Sequence, residues 1–202
     1  ASKRRFQSYR DDLVLDTRQI GIALRRLRRL GREGQATEVD IDATIDATAR
    51  NAGDLDLCMC PPRENRLRVL LLMDVGGSMD PFAALVSRLF SAAHQAAHFR
   101  EFNAYYFHNC VYDRVYDSAR MHSGTALAEL KAQLLPETRL IFVGDAHMAP
   151  YELVSPHGAI DYWHQNERPG IETLQGLARH FPKSVWLNPI PQRFWGHPTI
   201  RM

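Results

Sequence analysis

The stretch Arg-Val-Leu-Leu-Leu-Met-Asp-Val-Gly-Gly-Ser-Met-Asp-Pro, residues 68–81, decides how this chain is read. Its first six residues are almost continuously apolar, as a strand must be when helices cover both of its faces in a parallel sheet. The run stops at Asp74. Gly76 and Gly77 then allow a turn sharp enough to aim the Ser78 hydroxyl back toward that carboxylate. Asp80 can cap a helix whose first residue is Pro81, and Phe82, Leu85, Val86, Leu89, Phe90 and Ala93 continue at helical spacing.

Downstream the alternation repeats. Residues 101–108 and 110–116 are rich in aromatic and β-branched side chains with almost nothing between them, which predicts a hairpin with a tight turn near Asn109. A polar loop leads to a helix over 125–134, and the short apolar strand 140–143 again runs into an aspartate, Asp145. Residues 146–168 show no period and read as a long loop, followed by a helix over 171–181 and a last strand over 185–187. Strands alternating with helices predict a doubly wound, Rossmann-like α/β fold: a mostly parallel sheet with one antiparallel edge strand and helices on both faces. Such sheets take ligands outside the carboxyl ends of their strands, where Asp74 and Asp145 fall.

Upstream, residues 1–62 read as a helical extension that packs on or links to the domain, and 63–202 as the α/β domain with a C-terminal tail. In residues 19–30, Ile20, Ala23, Leu24, Leu27 and Leu30 recur at helical spacing among arginines, an amphipathic helix suited to packing against a neighbour. Residues 31–34 stop it. Residues 40–50 read as a second helix with an acidic start, and 55–60 as a strand closed by Pro61-Pro62. Charge is uneven: residues 1–33 hold ten Lys/Arg against four Asp/Glu, and the remainder fifteen against nineteen, within a net +2. With 45% hydrophobic residues the 202-residue chain can fill one full core and carry an appendage. Cys58, Cys60 and Cys110 are an odd number, and one residue separates the first two where zinc and redox motifs place two, so reduced and buried thiols are expected. No apolar run exceeds the length of residues 69–73, far short of a bilayer span, and no signal-peptide pattern opens the chain. A cytoplasmic location without a membrane span is expected.

Asp74, Ser78, Thr125 and Asp145 all fall in turns at what should be one rim of the sheet, and they offer only carboxylate and hydroxyl oxygens. That is a donor set for a hard cation; Mg2+ favours oxygen ligands, keeps several waters and needs few carboxylates. Hydroxyls and waters leave much of the ion's charge uncancelled, so an open position would attract an Asp or Glu from another protein. A lone aspartate at a strand end commonly caps a turn. Here it is the ordered combination with two glycines, a serine and a threonine that points to a site.

Asp74-Val75-Gly76-Gly77-Ser78 resembles the Asp-x-Ser-x-Ser signature of the metal-ion-dependent adhesion site in von Willebrand factor A (vWA) domains. Ser123-Gly124-Thr125 is similar to that family's threonine loop, and Ile141-Phe142-Val143-Gly144-Asp145 to its second aspartate. The likeness runs in the expected order over residues 67–187. More narrowly, residues 42–50, the Asp-Val-Gly-Gly-Ser-Met turn and Trp186-Leu187-Asn188-Pro189 resemble bacterial CoxE-type vWA proteins. The resemblance implies a non-catalytic interaction module, with Mg2+ (or Mn2+ or Ca2+) held by Asp74, Ser78, Thr125 and Asp145 in loops shaped by Gly76, Gly77 and Gly124. It also implies a MoxR-type AAA+ ATPase partner in the maturation or assembly of a protein complex, and a client offering an acidic side chain to the metal. One departure matters. The first serine of the signature is Gly76 here, so a hydroxyl is lost, a water must take its place, and weaker or partner-dependent metal binding is expected.

Other readings are weighed by the same chemistry. An enzyme using Asp74 for phosphoryl transfer would place a second acid/base aspartate two residues on, where Gly76 stands; no Gly-x-x-x-x-Gly-Lys phosphate loop is present, and no Ser/His/Asp set stands out. RNA binding through the basic head requires aromatics interleaved with the arginines, and residues 19–32 contain none, so nucleic acid is not the expected partner. His94 and His98 lie four apart, but Gln95 replaces the glutamate of the zinc-protease pattern, so they read as helix-surface or packing residues. Among the histidines only His147, next to Asp145, is a candidate for the neighbourhood of the site, and a loop histidine facing water is the stronger reading. Phe194-Trp195 reads equally as an exposed docking tail or as a pin for the terminal segment.

Overall fold

The computed structural model describes residues 30–32, 35–65, 67–95, 99–160 and 166–201. The helix expected over 19–30 lies outside them, save Leu30, which is in a strand. The described part of the extension is not purely helical: it contains one helix and strands that form two separate antiparallel pairs. Strand β1 (Leu30–Arg32) and β2 (Glu38–Val39) lead outward to helix α1 (Ile41–Arg50), and β3 (Met59–Cys60) and β4 (Arg63–Asn65) return, pairing antiparallel with β2 and β1 respectively. The expected strand over 55–60 is reduced to its last two residues.

Helix α1 forms where its chemistry indicates. The Asp40 carboxylate accepts from Ala43 N (3.1 Å), capping an N–H that the helix leaves unbonded. Asp42 in the first turn and Arg50 in the last suit the helix dipole. Ala52 and Gly53 take left-handed backbone at φ 53° and 96° and end it. The Thr44 hydroxyl accepts from Cys58 N (3.0 Å) and so ties the helix to the returning strand.

The body of the protein is built on β5 (Arg68–Asp74), followed by a 3-10 turn (Gly77–Phe82), helix α2 (Ala83–Gln95) and β6 (Glu101–Phe107). Next come β7 (Arg114–Tyr116), β8 (Gly124–Ala126), α3 (Leu127–Gln133) and β9 (Arg139–Val143). The chain then runs through α4 (Pro150–Val154), α5 (Gly170–His180), β10 (Ser184–Leu187), a 3-10 turn (Gln192–Phe194) and α6 (Pro198–Arg201). Six strands make one sheet in the order β10-β9-β5-β6-β7-β8. The first four are parallel, β7 runs against them, and β8 pairs antiparallel with β7 at the edge.

Strand alternation divides the core in two. Leu70, Leu72, Phe107, Leu140 and Phe142 face α3 and α5, meeting Leu130, Leu177 and Phe181. Leu71, Met73, Tyr106 and Val143 face α2, meeting Val86, Leu89 and Phe90. This is why β5 reads as unbroken apolar sequence: both of its faces are covered. No helix among the described residues is long and apolar enough to cross a membrane.

Three local expectations need correction. Asp80 does not cap α2, because Asp80 and Pro81 lie inside the 3-10 turn and α2 begins at Ala83. Thr125 is not helical: Gly124–Ala126 hydrogen-bonds to β7 as an edge strand and the helix starts at Leu127. The long loop contains the short helix α4, started by Pro150, which is tolerated in a first turn because that N–H needs no partner. The turn at Asn109 is as expected, with φ 56° and Cys110 N donating to His108 O at 2.6 Å.

Candidate metal centre at the carboxyl ends of the strands

Asp74 ends β5 and Asp145 follows β9, its neighbour in the sheet, so parallel pairing delivers both carboxylates to one rim. Both are 1% exposed, as is Glu152 from α4. Asp74 Oδ1 accepts from Gly76 N (2.8 Å) and Asn109 N (3.0 Å). Asp145 Oδ1 accepts from His147 N (2.9 Å). Glu152 accepts from Ala149 N (2.8 Å) and from the Asn109 amide, at 3.4 Å and 3.2 Å to its two oxygens.

Burial pushes the Asp74 carboxyl up to about 7, and the nearby Asp145 and Glu152 carboxylates push the same way; the Gly76 and Asn109 N–H groups pull against them. Removing water from an anion disfavours its charged form, and like charges add to the penalty. Without a cation this rim therefore holds a carboxylic acid poised near neutrality. A divalent ion would stabilise the carboxylate instead.

Two glycines let oxygens crowd here. A Cβ at position 144 would lie 2.9 Å from Asp74 Cβ and 3.3 Å from Asp74 Oδ2. A Cβ at position 76 would overlap Asn109 Oδ1, with Asp74 Oδ1 3.2 Å from the same point. The chemistry of this set, carboxylate, amide and hydroxyl oxygen, fits a hard cation. Among the described residues no group of three or more His, Cys, Asp or Glu side chains could hold a metal, so a cation at this rim would need neutral oxygens and water to complete its shell.

The remaining expected residues are placed unequally. Ser78 is exposed in the 3-10 turn, four residues after Asp74, and Gly77 beside it has open space where a side chain would be. Thr125 stands on β8, three strand positions from β5, and hydrogen-bonds the Tyr105 phenol. Gly124 packs against Tyr116, where a Cβ would sit 3.0 Å from its ring. The structure thus brings Asp74, Asp145, Gly76 and the Ser78 turn to one rim and leaves Thr125 at the edge.

Sequence reasoning missed the support of this rim. Trp186 Nε1 donates to Gly144 O (2.8 Å) and the Asn188 amide donates to Asp145 O (2.8 Å), so the Trp-Leu-Asn-Pro motif props the second aspartate's turn. Thr199 from α6 donates to Ala146 O (2.6 Å). His147 does not face water, contrary to the stronger reading: it stacks on His197 at 4.6 Å between ring centroids, and its buried Nε2 has no hydrogen-bond partner among the described residues. Asn109 and Glu152 gave no motif signal; for Asn109 the one hint was asparagine's tolerance of left-handed backbone in a tight turn.

Other candidates resolve without chemistry. Cys58, Cys60 and Cys110 form no disulfide among the described residues, and burial pushes the Cys110 thiol up to about 12, which makes it inert. His94 packs beside Phe90 and Phe102, and His98 lies outside the described residues. Trp195 donates to Ile190 O (2.8 Å) and pins the tail, while Phe194 is exposed beneath Arg193.

A doubly wound sheet with two aspartates on neighbouring strand ends, a Gly-Gly-Ser turn after the first, and a Trp-Leu-Asn prop beneath the second defines a vWA-type domain. The chain belongs to the family described as VWA domain containing CoxE-like protein, which matches residues 13–145. No curated protein and no solved structure matches it.

Proposed function

We propose that this chain is a non-catalytic, metal-dependent protein-binding module that works in the cytoplasm with a MoxR-type AAA+ ATPase in the maturation or assembly of a protein complex. The observation that carries this reading is the joint burial of Asp74 and Asp145 at the ends of adjacent parallel strands, each with a carboxylate oxygen anchored by backbone N–H. Asp74, Ser78 and Asp145 would hold Mg2+, Mn2+ or Ca2+. When bound, such an ion supplies positive charge that hydroxyl and water ligands do not cancel, which attracts a carboxylate from a client protein. The backbone N–H groups keep the aspartates oriented, and the Trp186 and Asn188 bonds keep the Asp145 turn from relaxing away.

The test is capture of an AAA+ ATPase of the MoxR type by the chain in the presence of Mg2+. Asp74→Ala is expected to lose capture while its circular dichroism is unchanged. Unchanged capture by a folded Asp74→Ala would sink the reading.

A further inference from the structure

Gly76 stands where the family signature carries its first serine, and the space over it is not vacant. Asn109 Oδ1, reaching across from the end of β6, occupies the position where a side chain at residue 76 would begin. Asp74 Oδ1 lies 3.2 Å from that same point, so oxygens from two strands flank it. One backbone conformation and two contacts hold Asn109 in this pose. Its backbone takes φ 56°, which asparagine accepts more readily than most residues. Its N–H donates to Asp74 Oδ1 at 3.0 Å. Its amide nitrogen donates to the Glu152 carboxylate, and because the two ends of a planar amide point apart, this turns the carbonyl oxygen toward Gly76.

We propose that Asn109 is a ligand of the cation held by Asp74, Ser78 and Asp145, its amide oxygen replacing the hydroxyl that Gly76 lacks. The inference rests on the metal-binding reading above. Amide oxygens are ordinary ligands for hard cations, and unlike a third carboxylate they add no charge to a rim that already buries Asp74, Asp145 and Glu152. Glu152 acts as a positioning residue, since its bond to the Asn109 nitrogen decides which way the amide faces. The same arrangement means that a side chain at position 76 would displace the Asn109 amide: serine and Asn109 would compete for one volume.

The experiment is a reciprocal exchange read by calorimetric titration of the whole chain with Mn2+ and by the Mn2+ paramagnetic resonance spectrum. Asn109→Gly keeps the left-handed backbone and the N–H to Asp74 while removing the amide; it is expected to weaken Mn2+ by about 10-fold or more. Gly76→Ser in the native background, where the hydroxyl meets Asn109, is expected to weaken binding as well. The double variant Gly76→Ser/Asn109→Gly should return to within about 3-fold of the native affinity, because the serine then supplies the oxygen from the other strand. Native affinity in Asn109→Gly, or a double variant as weak as Asn109→Gly alone, overturns the assignment of Asn109 and leaves the metal reading standing. A native chain that binds no Mn2+ at millimolar concentration overturns both.

Discussion

Asp74 and Asp145 stand at the ends of adjacent parallel strands, almost fully buried, with backbone N–H groups on their carboxylates. Thr125 belongs to the same sequence signature but stands on the short edge strand β8, partly exposed, with its hydroxyl on Tyr105. The difference is one of delivery. A residue that follows a parallel strand is carried to the rim by the sheet itself, since each neighbouring strand ends at the same side. Strand β8 runs in the same direction and brings Thr125 level with Phe107 and Asp74, but three strand positions from β5, where the pairing of residues 124–126 with β7 holds it. The two halves of the signature therefore differ in how near the sheet order sets them to Asp74.

The largest expected effect falls on the central half. Asp145→Ala should abolish Mn2+ binding in calorimetric titration without unfolding the chain, because it removes one of the two carboxylates at the rim. Retained affinity would move the centre away from β9 and erase the contrast with Thr125.

Next comes pH. In the fold Asp74 keeps its proton to about 7, against an ordinary 3.8. Below about pH 4 both folded and unfolded chains are protonated there and the group has no effect on stability. As pH rises the unfolded chain ionises first, and above about 7 the metal-free fold must carry a buried carboxylate. The metal-free protein should thus lose several kcal/mol between about pH 4 and about pH 7 and stay at that lower level above it. Asp74→Asn should flatten this dependence in chemical denaturation, and saturating Mg2+ should restore the native chain at pH 8. A pH-independent native chain would mean that the carboxyl is not desolvated as described.

A smaller effect tests the packing between the two aspartates. Gly144→Ala would bring a methyl 2.9 Å from Asp74 Cβ, and overpacking of this kind costs about 1–3 kcal/mol in thermal or urea unfolding. Metal affinity should fall with it. A neutral outcome would show that the strands separate more easily than their pairing suggests.

The smallest effect belongs to the edge. Thr125→Val removes the hydroxyl from Tyr105, costing about 1 kcal/mol of stability, and leaves Mn2+ affinity within about 2-fold of native. Abolished binding in Thr125→Val would sharpen the comparison the other way, because it would require the 124–126 strand to leave β7 and close on the ion.

Legibility followed the range of the interactions concerned. The unbroken apolar run of β5 announced a strand covered on both sides, and Asp40 with Asp42 announced the start of α1, because strand burial and helix capping are written in consecutive residues. The Trp-Leu-Asn-Pro motif was visible as a pattern, yet its purpose, two donors under the Asp145 turn, appeared only when β10 was seen beside β9. For Asn109 the sequence signals a turn and nothing more.

Consecutive chemistry along the chain thus specifies the α/β class, the central strands, and Asp74 and Asp145 as their acidic ends, since these depend on hydrophobic period and on groups a few residues apart. The partners that complete the rim, Asn109 over Gly76, Glu152 behind Asn109, and Thr125 held aside by Tyr105, were assigned by packing. They join residues tens of positions apart, and which of many compatible side chains fills a given volume is settled when the strands are laid side by side.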